Sequence, residues 1–90
     1  IVFLSISITS HSDQWLKKFN EVINKFDQII EVYRLTGSNS DYQLKIVTPS
    51  IEQYDIFQQQ LIKEIECTNM SSSIALKEIK KSYNLPLDYI

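Results

Sequence analysis

Two kinds of hydrophobic spacing alternate along this chain, and their order restricts the fold more than any other feature. Residues 1–8 (I-V-F-L-S-I-S-I) put Val2, Leu4, Ile6 and Ile8 on one face and Phe3, Ser5 and Ser7 on the other. Period two with β-branched residues predicts a strand with one strongly apolar face. T9-S-H-S-D13 ends the pattern. Ser12 is placed to cap a helix, and Asp13 suits the positive end of its dipole. Trp15, Phe19, Val22, Ile23 and Phe26 then recur at helical spacing with Leu16 beside them, which predicts an amphipathic helix over 12–26.

The second half repeats the order with a hairpin inserted. Residues 28–36 and 42–48 are β-branched runs joined by G37-S-N-S-D41, a short loop of turn formers. Strands joined this closely pair antiparallel. P49-S-I-E-Q53 has capping-box spacing between Ser50 and Gln53, with Pro49 ending the strand before it. Ile51, Tyr54, Phe57, Leu61 and Ile65 form an apolar stripe, so a second helix is expected over 51–65. T68-N-M-S reads as loop and Ser72 to Lys80 as a fourth strand with a mixed face. The tail S82-Y-N-L-P-L-D-Y-I90 carries Pro86 and is expected to be extended.

The order is β-α-β-β-α-β plus a tail. It predicts an α+β fold of the ferredoxin-like type, a βαββαβ sandwich with a four-stranded antiparallel sheet and an extended C-terminal tail. Both helices cover one sheet face, as right-handed crossovers require. The other face is left open yet carries Phe3, and the tail adds Leu85, Leu87, Tyr89 and Ile90. Exposed apolar surface of this kind marks an interface, so a homodimer is expected in which the sheets meet and the tails clasp.

Ninety residues fit one domain. Its core is modest, since a chain this size buries only about 60–65% of its unfolded surface. A formal net charge of −2 argues against binding nucleic acid directly, which needs clustered Lys and Arg. K77-E-I-K-K81, the densest basic run, reads as a solvated strand face. Cys67 is the single cysteine, so it forms no internal disulfide. It reads as a small apolar filler near a helix end, and a cytoplasmic location fits. The apolar opening is too short for a signal peptide or a membrane span. The chain starts at Ile1 rather than Met, so residues are expected upstream.

Catalytic and cofactor motifs are missing. His11 reads as a surface loop residue with no partner near it in sequence. The sequence holds no GxGxxG, no P-loop and no CxxC, and no metal or cofactor is expected. The third predicted strand lacks the basic, glycine-containing aromatic signature of an RNA-recognition domain. T9-S-H-S-D13 lacks the Arg of an acylphosphatase loop, the Gly of an ACT-type turn and the paired cysteines of a metal-transfer domain. Fold pattern by itself chooses no function.

E31-V-Y-R-L-T-G-S-N-S-D-Y-Q-L-K-I-V-T-P-S-I-E-Q-Y-D-I-F57 does discriminate. It resembles the effector domain of the Lrp/AsnC (feast/famine) transcriptional regulators: a strand ending in Thr-Gly, a turn, Asp-Tyr, an apolar strand and a capped helix with Tyr and Phe anchors. S72-S-I-A-L-K-E-I-K-K-S-Y-N-L-P-L87 looks like the family's last strand and closing Leu-Pro-Leu. The likeness covers essentially all 90 residues. Two departures stand out. Ser38, Asn39 and Ser40 put three residues between Gly and Asp where the family usually has two, and Ser50 stands where it often has Asp.

The resemblance implies a non-enzymatic domain for dimerisation and amino-acid sensing, with DNA contacted by a separate helix-turn-helix domain upstream and no role for a membrane. It implies dimers that assemble further, into tetramers or octamers, with an amino acid held between dimers. By position it nominates Thr36, Gly37, Asp41 and Tyr42 for the effector, and Ser72 to Ile74, with Ser72 and Ile74 foremost, for a facing wall. Each residue also has an ordinary reading. Gly37 supplies a positive φ for the hairpin, Asp41 caps the turn, and Tyr42 is a packed strand aromatic. A carboxylate at 41 also suits an ammonium group. Arg34 is expected to be solvated or paired with Glu31 or Asp41. A stand-alone sensor without a DNA-binding part is the alternative within the family. A tetrapyrrole decarboxylase on the same architecture is the enzymatic one. It would need convergent basic residues, and His11 and Arg34 are the only residues of their kind.

Overall fold

The computed structural model describes residues 1–8, 12–37 and 40–82. Its elements are β1 (Val2–Ser7), α1 (Asp13–Lys25), β2 (Ile29–Arg34), β3 (Tyr42–Ile46), α2 (Ile51–Glu64) and β4 (Asn69–Ile74). The strands form one antiparallel sheet in the order β2-β3-β1-β4. This is the ferredoxin-like arrangement that the alternating periods predict. Val2, Leu4 and Ile6 of β1 lie opposite Ile46, Leu44 and Tyr42 of β3. All six are buried, and they meet Phe19 and Val22 of α1 and Tyr54, Phe57 and Leu61 of α2, with Ile65 just beyond. Both helices therefore cover one sheet face.

Local chemistry sets the helix starts. The Ser12 hydroxyl accepts the Trp15 N–H at 3.1 Å, and the Ser50 hydroxyl accepts the Gln53 N–H at 3.2 Å. Each satisfies a donor that the first turn leaves unpaired. Phe26 and Phe57 meet edge to face at 5.3 Å and join the end of α1 to the middle of α2. Ile51, expected in the stripe of α2, is instead 69% exposed. The buried stripe starts at Tyr54, one turn later. No helix among the described residues is long and apolar enough to cross a membrane.

The fourth strand differs from its expected position. It occupies Asn69–Ile74 rather than Ser72 to Lys80. Its ladder runs from Asn69 opposite Ser7 to Ile74 opposite Val2, and a bond from the Ala75 N–H to the Ile1 carbonyl closes it at 2.9 Å. Pairing thus stops where β1 stops, and backbone pairing outranks the side-chain alternation of Ile74, Leu76 and Glu78. The polar run N69-M-S-S-S73 carries no period-two apolar signal, so its strand character comes from the ladder with β1. Residues 75–82 leave the sheet as exposed, non-regular chain, with Leu76 and Ile79 more than four-fifths exposed. The clasp expected of Leu85, Leu87, Tyr89 and Ile90 lies outside the described residues.

The open sheet face is mostly polar. Strand alternation places Phe3, Ser5 and Ser7 beside Gln43, Lys45, Glu31, Tyr33, Ser71 and Ser73. Residues 75–81 border this face, and a groove of about 680 Å³ lies between them and Ile1, Phe3 and Lys45. The apolar surface on this side therefore belongs to Phe3, Leu76 and Ile79 more than to the strands in general.

Candidate functional site

The hairpin end between β2 and β3 holds four of the nominated residues. Gly37 has φ +78° and is the one residue with a positive φ among those described. An L side chain resists that backbone conformation. Among the described residues a Cβ built there meets nothing within 4 Å, so what the position asks of the glycine is its conformation. Thr36 beside it is exposed.

Asp41 binds three ways in the backbone frame. Its carboxylate Oδ2 accepts the Ile8 N–H at 2.8 Å, its own N–H donates to the Ile6 carbonyl, and its carbonyl accepts the Leu35 N–H, both at 2.9 Å. It thus ties the end of β1 to the start of β3 and closes the hairpin. Tyr42 is buried and points into the helix layer, with its ring 4.9 Å from Phe19 and 5.6 Å from Trp15. Trp15 and Phe19 stack at 4.8 Å, so three aromatic rings underlie the hairpin end. The packed-aromatic reading of Tyr42 describes its position.

The other two nominated residues lie elsewhere on the sheet. Ser72 is on the edge strand β4, opposite Leu4, and its hydroxyl shares a 2.6 Å hydrogen bond with the Tyr54 phenol beneath the sheet. Burial pushes the Tyr54 phenol up, and the bond to Ser72 opposes that shift. Ile74 is opposite Val2, whereas Tyr42 is opposite Ile6. That offset is roughly 13 Å along the strand, in addition to two strand spacings across the sheet. One copy of the chain therefore gathers Thr36, Gly37, Asp41 and Tyr42 but leaves Ser72 and Ile74 apart from them.

Sequence reading missed two groupings. On the open face, Glu31 accepts the Tyr33 hydroxyl at 2.7 Å and pairs with Lys45 Nζ at 3.0 Å. The hydrogen bonds from Tyr33 and Lys45 lower the Glu31 carboxyl, and the same contacts raise Tyr33 and Lys45. Glu31 is therefore engaged across the strands, by Lys45 opposite it in register, while Arg34 is exposed. The register that makes this pair requires knowing the bulge between Ile29 and Glu31. The second grouping is a cleft of about 510 Å³ between the start of α1 and the end of α2, lined by residues that include Ile8, Trp15, Lys18, Glu64 and Cys67. Cys67 is partly buried against the core, and burial pushes its thiol up, as a filler residue requires. Among the described residues no group of His, Cys, Asp and Glu is arranged to hold a metal, and His11 falls outside them.

Comparison with known proteins agrees with this geometry. The Lrp/AsnC ligand binding domain family matches residues 1–85. The HTH-type transcriptional regulator Zrp of Zymomonas mobilis is 36% identical over 89 residues, which cover 99% of this chain and 58% of that protein. An AsnC family transcriptional regulator from Agrobacterium tumefaciens superposes with a TM-score of 0.85 at 45% identity, over 99% of this chain and 57% of that one. Transcriptional regulator NMB0573 from Neisseria meningitidis, solved as an L-Met complex, superposes equally well at 26% identity, over 98% of this chain and 56% of that one. The chain spans about half the length of the curated relatives it matches. With the βαββαβ sheet, the Thr-Gly hairpin and the Asp-Tyr strand in place, the chain belongs to the Lrp/AsnC family of transcriptional regulators, as a ligand-binding domain.

Proposed function

We propose that this domain senses an amino acid at the hairpin end and passes the signal on through assembly of its copies. The observation that carries the reading is the L-Met complex of the Neisseria regulator, whose fold matches 98% of this chain. Thr36 and Gly37 are exposed at the sheet end, and Asp41 ties the start of β3 to Ile8 just beyond β1. An amino acid carries one ammonium and one carboxylate, and a carboxylate with neighbouring backbone groups suits both. Tyr42 contributes from below, as packing that holds the turn. Ser72 and Ile74 then serve as a wall only when supplied by another copy, which is why the site belongs between dimers.

The dimer itself joins open sheet faces. Phe3, Leu76 and Ile79 supply apolar contact, and the Glu31–Lys45 pair supplies register. DNA binding belongs to a separate domain outside these 90 residues, in keeping with the net charge of −2. The role is regulatory and not catalytic, and a cytoplasmic location follows from it.

A thermal-shift screen of the twenty amino acids tests the effector reading. Asp41→Asn is the right comparison, because asparagine keeps an acceptor for the Ile8 N–H while removing the charge. A ligand that binds only the folded state raises the melting temperature. At least one amino acid should do so for the parent and not for Asp41→Asn. A flat response to all twenty overturns the effector reading.

A further inference from the structure

We propose that the outer edge of β4 is a self-association surface, which pairs antiparallel with the same edge of a second copy beside an apolar flank of α2. β4 is an end strand of the sheet, bonded to β1 on one side. The bond from Ala75 to Ile1, directly opposite it, fixes the alternation of backbone groups along the strand. Asn69, Ser71 and Ser73 turn theirs to β1, while Met70, Ser72 and Ile74 turn theirs outward. The Asn69 side chain accepts the Met70 N–H at 3.0 Å and closes one end of this edge. The N–H groups of Ser72 and Ile74 meet no backbone acceptor among the described residues.

The two edges of the sheet are built differently. β2 carries a bulge between Ile29 and Glu31 and the charges of Glu31 and Arg34, devices that keep an edge from pairing. From Asn69 to Ile74, β4 has no charge, no proline and no bulge. Residues 75–81 do not cover it, since they turn to the open face and line the groove there with Phe3 and Lys45.

The edge is also complementary to itself, which is why the partner is a second copy. A two-fold axis at Ser72 sets that residue opposite the partner's Ser72 and sets Met70 opposite the partner's Ile74. The two serines then exchange backbone bonds, and each Ile74 N–H meets a Met70 carbonyl. Side chains of these residues lie on the helix side of the sheet, where Gln58 reaches Met70 Sδ at 3.8 Å and Tyr54 bonds Ser72. Ile51 and Ile62, about three turns apart on α2, share the flank of Gln58 and so border β4. Both are more than half exposed, and Ile74 is about half exposed. Pairing brings this apolar rim of each copy toward the other, and no like charges face each other along the strands. The ladder is short and the contact small beside a stable interface of roughly 1,200–2,000 Å². The pairing is therefore weak by itself and forms as the protein approaches about 1 mM.

Amide hydrogen exchange followed by NMR tests the pairing on the 90-residue chain. The Ser72 and Ile74 amides should exchange several-fold more slowly at about 1 mM than at about 0.1 mM protein. Ile74→Pro removes an outward donor and leaves the ladder to β1 intact, so it should abolish that dependence at Ser72. Ile62→Asp should weaken it as well. Ile56→Asp should not, because Ile56 is as exposed as Ile62 but lies well round the helix from both Ile51 and Ile62. Circular dichroism melts check that each variant folds. Exchange that is the same at both concentrations, a dependence that survives Ile74→Pro, or equal effects of the two aspartate substitutions overturns the proposal. No amino acid is added and the open face is not involved, so failure of the effector reading or of the open-face dimer leaves these outcomes intact.

Discussion

The Asp41 carboxylate accepts the backbone N–H of Ile8 at 2.8 Å, across 33 residues of sequence. This bond gives the acid of the turn a structural duty whether or not an effector is bound. Asp41→Ala leaves a part-buried donor without its partner and should cost about 1–3 kcal/mol. Asp41→Asn retains an acceptor and should cost about 1 kcal/mol or less. Urea unfolding of the two variants beside the parent measures the difference, and equal costs would contradict the role assigned to this bond.

Gly37 carries a purely conformational demand. Its φ of +78° lies where an L residue is strained, and no described residue lies within 4 Å of an added Cβ. Gly37→Ala should therefore cost about 1–2 kcal/mol, all of it from the backbone. Gly37→Asn should cost less, because asparagine tolerates that region better. A midpoint in urea unchanged by the alanine substitution would show that the hairpin relaxes to another turn.

Two residues of α2 should respond very differently to truncation. Phe57 is almost fully buried and touches Phe26 edge to face, so Phe57→Ala should cost about 3–5 kcal/mol. Ile51 is on the same helix but largely exposed, so Ile51→Ala should stay within about 0.5 kcal/mol. Chemical denaturation separates the two, and a large loss at Ile51 would mean that another copy covers it.

Alkaline stability should depend on Tyr54. Burial holds its phenol above the ordinary value of 10.0, so the folded state keeps this proton more tightly than the unfolded chain. The stabilisation is fully present below the unfolded value and is lost as pH rises through the higher folded one. Ser72→Ala removes the contact that opposes this shift, so phenol titration should move further up. Spectrophotometric titration of the tyrosines checks both statements, and a Tyr54→Phe variant identifies the signal.

β1, β3, α1 and α2 were readable from the sequence because each has one exposed and one buried side. The Ser12 and Ser50 caps were readable because they act over three residues. β4 was misplaced because its position depends on a ladder to β1 rather than on its own pattern, and N69-M-S-S-S73 has no apolar alternation to announce it. The site was legible in part. Gly37 and Asp41 stand in a local hairpin, so their turn duties could be anticipated, although the partner of Asp41 at Ile8 could not. Two readings of Tyr42 were open until α1 laid Trp15 and Phe19 over it. The cleft beside Trp15 joins residues 51 positions apart, as the bond from Trp15 to Glu66 shows. Only the packing of α1 beside the end of α2 creates it.

Sedimentation velocity, run with and without the amino acid that raises the melting temperature most, tests the central claim most directly. Sensing between dimers predicts dimers in the absence of the amino acid and a shift toward tetramers or octamers at saturation, abolished in Asp41→Asn. A chain that sediments as the same species in both conditions, or as a monomer throughout, would contradict it.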